Sequence, residues 1–157
     1  MFFPAFFNQL IQHHSIYRLC DTVVDSFPHI FRHADIVILT GALIFHSGTL
    51  SSTHEGVREA TRHAIELAKE AGCIITFDPN LRPPLWKSLD DARAEIEYGM
   101  SKCDVLKISD NEVEFMCGTT DYDKGAAMIQ EKYNIPLILI TLGKDGSRAY
   151  YKNMRVE

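Results

Sequence analysis

Five short apolar runs, Ile36 to Leu39, Leu43 to Phe45, Cys73 to Phe77, Val105 to Ile108 and Leu137 to Ile140, limit what this chain can fold into. Each is continuous rather than alternating, the pattern of a parallel strand covered on both faces. Helical patterns separate the later runs. Ser52 and Glu55 fit a capping box, and Val57, Ala60, Ala64, Leu67, Ala68 and Ala71 follow at helical spacing until Gly72. A second helix is expected from Leu89 to Met100 after Ser88, and a third from about Asn111 to Cys117, ending at Gly118. A fourth runs from about Tyr122 to Tyr133, closed by Asn134 and Pro136. The turn residues Lys144-Asp145-Gly146 then lead into a strand over 147–151. Residues Met1 to about Ala34 carry little pattern beyond a helix around Thr22 to His33. Strands alternating with helices imply right-handed crossovers, and so an α/β fold with a doubly wound, mostly parallel sheet and flanking helices.

The 157 residues, 46% hydrophobic and 24% charged, suit one globular domain. A net charge of −5 with scattered Lys and Arg leaves no basic stripe, which argues against nucleic acid or an anionic membrane as partner. The four cysteines, Cys20, Cys73, Cys103 and Cys117, form no CxxC pair and read as reduced thiols of a cytosolic protein. Met1 to Leu10 is apolar but lacks a positive start and is broken by Pro4 and Asn8, unlike a signal peptide. The longest apolar stretch, near Ile36 to Phe45, is too short to span a bilayer, so a cytoplasmic location is expected. The seven histidines form no metal set, because His29 and His33 have no third ligand at suitable spacing. His54-Glu55 lacks the second His of a zinc protease motif, and no Gly-x-Gly-x-x-Gly follows any strand.

Polar and glycine residues gather where the strands end. The second run is followed by His46, Ser47, Gly48 and Thr49, and the third by Asp78, Asn80 and Arg82. The fourth is followed by Ser109 and Glu112, and the fifth by Thr141, Gly143 and Gly146. In a parallel sheet these ends open on one edge, the edge where such sheets bind ligands. Three prolines stiffen the loop from Asp78 to Trp86, so its side chains lose little further entropy on meeting a ligand. On spacing alone, solvated loop polarity explains these residues equally well.

Taken in order, four segments resemble the central part of a carbohydrate kinase of the ribokinase (PfkB) family, most like the bacterial fructokinases. They are Phe45-His46-Ser47-Gly48-Thr49-Leu50-Ser51, the stretch from Phe77 to Trp86, Asp104 to Glu112, and Ile140-Thr141-Leu142-Gly143-Lys144-Asp145-Gly146. The resemblance covers residues 44–157 and leaves 1–43 as a poorly matched segment. It implies MgATP and a sugar as ligands, with phosphoryl transfer to a ketose hydroxyl. Asp78, Asn80, Arg82, Ser109 and Glu112 would form the phosphate and Mg²⁺ network, without a direct metal ligand. Arg82 suits phosphate oxygens, and Asp78 and Asn80 suit Mg²⁺-bound water. Arg82 paired with Asp78 as a mere loop brace is the plainer alternative. Ser109 stands where the family has Asn, and Ser109-x-x-Glu112 is also a capping box. Thr141, Gly143 and Gly146 match the nucleotide turn, and His46 and Gly48 would border the sugar.

The family's catalytic base lies in a Gly-Ala-Gly-Asp motif, and no Gly-x-Gly-Asp occurs here. The amino-terminal sugar-binding segment and the β-sheet lid are likewise unmatched. The expectation is therefore an incomplete fold: a kinase fragment lacking its lid and C-terminal part, inactive alone, with unpaired sheet edges that favour self-association. A 2-keto-3-deoxygluconate kinase fragment, or a non-catalytic nucleotide-binding or oligomeric remnant, are the other readings.

Overall fold

The computed structural model describes residues 42–152 and 154–157. The expected strand at Ile36 to Leu39 and helix around Thr22 to His33 lie outside these residues. Six strands form one sheet in the order of the chain: β1 (Ile44–Gly48), β2 (Ile74–Asp78), β3 (Val105–Ser109), β4 (Leu137–Thr141), β5 (Ser147–Tyr151) and β6 (Met154–Val156). The first four are parallel, and β5 and β6 add antiparallel. The helices are α1 (Glu55–Glu70), α2 (Leu89–Lys102), α3 (Asp110–Cys117) and α4 (Tyr122–Tyr133). This is the expected α/β architecture, mostly parallel with flanking helices.

Sequential strand order has a steric consequence. When every right-handed crossover steps in the same direction, every crossover helix lands on the same face of the sheet. Phe45, Ile75, Phe77, Leu106, Ile108, Ile138 and Ile140 accordingly form one buried cluster with Ile65 and Ala68 of α1, Ile96 and Met100 of α2, Val113 of α3 and Ile129 of α4. Burying each large apolar side chain contributes roughly 1.5–3 kcal/mol before entropy is counted. The alternate residues Ile44, Ile74, Val105, Leu137 and Leu139 are only half-buried. The described strands are thus not equally covered on both faces, contrary to the sequence expectation; their uninterrupted apolar character hides a two-residue alternation in burial.

Local signals hold for three of the four helices. Ser88 caps α2 by accepting the Asp91 N–H, Ser109 and Glu112 close a true capping box on α3, and Asp121 caps α4 by accepting from Lys124. Gly118 and Asn134 end α3 and α4 in the left-handed conformation. The predicted capping box at Ser52 and Glu55 does not form. Ser52 belongs to a 3₁₀ turn, Thr49–Ser52, and α1 starts from His54, which makes no side-chain cap. The Ser52 carbonyl instead accepts the Arg58 Nε–H at 2.9 Å. Residues 154–156, unassigned from sequence, pair with β5.

Candidate functional site

The carboxyl ends of β1 to β4 carry the site residues, with one shift from the sequence reading. His46, Gly48, Asp78, Ser109 and Thr141 are strand residues rather than loop residues. Gly48 pairs with Asp78, and Ser109 with Thr141; because Phe77 stands level with Leu106, the second pair lies two residues further toward the carboxyl edge of the sheet. Gly48 is required by close approach: a Cβ there would lie 2.6 Å from the Asp78 carbonyl oxygen. His46 sits further back, its Nδ1 2.8 Å from Thr76 Oγ1 across the strands.

The loop after β2 is fixed from three sides. On the β1 side, the Thr49 hydroxyl and N–H both donate to the Pro79 carbonyl. From α3, Glu112 Oε1 accepts the Leu81 N–H at 2.7 Å, while Oε2 accepts the Ser109 N–H and hydroxyl, each at 2.8 Å. On β3, Lys107 Nζ lies 2.7 Å from Asp78 Oδ2. Asn80 takes a left-handed conformation, φ 46°, between these anchors. Such a backbone suits Asn better than most residues. Glu112 is buried with both oxygens engaged, so its geometry is that of a tether between α3 and the loop.

Arg82 and Asp78 do not pair. The plainer sequence alternative had Arg82 bracing Asp78, but the cation on Asp78 is Lys107. Arg82 begins the short 3₁₀ turn Pro83–Leu85, is exposed, and has no side-chain partner among the described residues. Sequence reasoning missed Lys107. Its signal was being the one charged residue in the apolar run of β3.

Beyond β4 the chain turns through a 3₁₀ segment, Gly143–Asp145, into β5. Gly143 and Gly146 have φ values of 58° and 93°, and a Cβ at either would point into open space. The demand for glycine here is conformational and leaves room for a ligand against the backbone. An open depression of about 380 Å³ beside the turn is lined by Asp110, Tyr122, Leu142, Gly146, Arg148 and Glu157, among others. Among the described residues no group of His, Cys, Asp or Glu side chains could hold a metal ion directly. No helix of these residues is long and apolar enough to cross a membrane.

The family model for pfkB family carbohydrate kinases matches residues 21–157. The chain belongs to this family. It is 41% identical over 119 residues to a probable fructokinase-2 of Arabidopsis thaliana, covering 76% of this chain and 36% of that protein. Fructokinase-2 of Solanum lycopersicum is likewise 41% identical over 115 residues, 73% of this chain and 35% of the relative. Among solved structures, a PfkB protein from Polaromonas sp. JS666 superposes with a TM-score of 0.71 at 25% identity, covering 78% of this chain and 42% of that one. Fructokinase from Vibrio cholerae O395, in a form bound to fructose, ADP and calcium, gives 0.67 at 29% identity, covering 72% of this chain and 36% of that one. The chain thus spans just over a third of the length of these two curated relatives.

Proposed function

We propose that this pfkB chain forms the phosphate- and nucleotide-facing part of an ATP-dependent ketose kinase, with fructose as the acceptor. The observation that carries the reading is the Glu112 tether, which joins the Asp78-to-Trp86 loop to the start of α3 beside the glycine turn. Arg82 is exposed and, among the described residues, has no side-chain partner, which suits it to meet an anion. Thr141, Gly143 and Gly146 offer the approach for the nucleotide phosphates, and Gly146 also borders the open depression beside the turn. His46 and Gly48 border the sugar.

In this reading the ketose hydroxyl oxygen bonds to the γ-phosphorus as the bond from phosphorus to the β–γ bridging oxygen breaks. Mg²⁺ supplies charge neutralisation on the phosphates. The donor set fits a metal carried by the nucleotide better than one caged by protein, because both Glu112 oxygens are occupied and no acidic cluster is present among the described residues. Asn80 would face its water shell. The hydroxyl proton needs a base, and the chain has no Gly-x-Gly-Asp motif to provide one. These 157 residues alone are therefore inactive as a kinase while still binding MgATP.

Titration calorimetry with MgATP and a coupled assay for ADP release with fructose test this. Expected are MgATP binding, its loss in Gly143→Val, and no turnover. Turnover that depends on a carboxylate of this chain overturns the inactivity; absence of MgATP binding overturns the nucleotide site.

A further inference from the structure

Lys107 is the only charged residue of β3, and it projects from the half-buried face toward Asp78. Its ammonium lies 2.7 Å from Asp78 Oδ2, while Asp78 Oδ1 is shielded from solvent without a partner among the described residues. Exposure differs across the pair, 43% for the lysine side chain and 23% for the aspartate. Lys107 is therefore the group that neutralises this carboxylate. Without it, Asp78 would hold an uncompensated and partly desolvated charge and would rotate toward water. Pro79 and Asn80 follow Asp78 directly, and Arg82 lies two residues beyond them. Between Asp78 and Arg82 the backbone is held at Pro79 by Thr49 and at Leu81 by Glu112, so the Lys107 contact on Asp78 is the third of the anchors that set where the guanidinium stands.

Resting on the phosphate-site reading above, we infer that Lys107 is a positioning residue, which holds Asp78 so that the loop presents Arg82 to the terminal phosphoryl group of the nucleotide. Its charge is spent on Asp78 and not on the ligand. This differs from direct phosphate binding by Lys107 in a measurable way. If Lys107 acts through Asp78, neutralising Asp78 as well removes the need for the lysine. If Lys107 touches phosphate, neutralising Asp78 cannot compensate for its loss.

Calorimetry on the full chain with MgATP and MgADP separates these. Lys107→Met is expected to weaken MgATP binding about tenfold, the order lost with one charge-assisted contact, and to leave MgADP within about twofold. Adding Asp78→Asn to Lys107→Met recovers most of that loss, and Lys107→Arg keeps near-normal binding. Equal loss for both nucleotides, no loss, or a double variant as weak as the single one overturns the inference while leaving the nucleotide site standing. Failure of the unaltered chain to bind either nucleotide overturns the phosphate-site reading, and this inference with it. A ligand-free readout stands beside these: Trp86, the chain's single tryptophan, ends the loop, and Lys107→Met should raise its quenching by acrylamide. Lys107→Gln serves as the second variant, and unchanged Trp86 quenching in a folded variant counts against the inference.

Discussion

Leu81 donates its backbone N–H to Glu112 Oε1 across 2.7 Å, although 31 residues separate them in the chain. The other oxygen closes the capping box on Ser109, so one buried carboxylate ties the start of α3 to the loop that follows β2. Glu112→Gln replaces one oxygen with an amide NH₂ that must face a donor. A buried donor left without its acceptor costs about 1–3 kcal/mol, and urea unfolding of the variant should fall by that order.

Gly48 and Gly56 separate steric need from mere composition. A Cβ at Gly48 meets the Asp78 carbonyl at 2.6 Å, whereas at Gly56, in the first turn of α1, it meets nothing within 4 Å. Gly48→Ala should destabilise by roughly 1–3 kcal/mol through overpacking. Gly56→Ala should be neutral or stabilising by up to about 1 kcal/mol. Paired thermal melts measure the contrast.

Ser88 and Ser52 look alike in the sequence and differ in the fold. Ser88 accepts the Asp91 N–H at 3.1 Å, and Ser88→Ala should cost about 1 kcal/mol. Ser52 is buried but caps nothing, so Ser52→Ala should cost less than Ser88→Ala. Equal losses in chemical denaturation would contradict the assignment of His54 as the start of α1.

Burial pushes the Cys103 thiol up to about 12, with the neighbouring Asp104 carboxylate adding to the rise. The folded value lies above the unfolded one of 9.0. The resulting stabilisation is complete below that unfolded value and is lost as pH rises toward the folded one. The urea midpoint should therefore fall on the alkaline side, and Cys103→Ala should flatten that fall. Iodoacetamide at neutral pH should modify Cys103 only as the chain unfolds, a rate read by mass spectrometry.

Much of this was legible in the residues because local chemistry decided it. The α4 boundaries follow from Asp121 and Asn134, and the β4–β5 reversal from Asp145-Gly146. The alternation of buried and half-buried positions was not legible. Ile44, Ile74, Val105 and Leu137 are as apolar as their buried neighbours, and only the strand order separates the two sets. Ser52 misled because a 3₁₀ turn, set by contacts with Pro79 in the next strand's loop, displaced the helix start. Lys107 escaped notice for a related reason. A charge within an apolar run gains meaning only from its cross-strand partner, which is a fact of tertiary structure.

The strand order β1 to β6 carries a consequence for how the chain is made. Each new strand docks beside the one synthesised just before it, and no described strand must wait for a distant segment to be inserted between its neighbours. Assembly can keep pace with the ribosome, one strand and its helix at a time, because short loop closures carry the smaller entropic barriers.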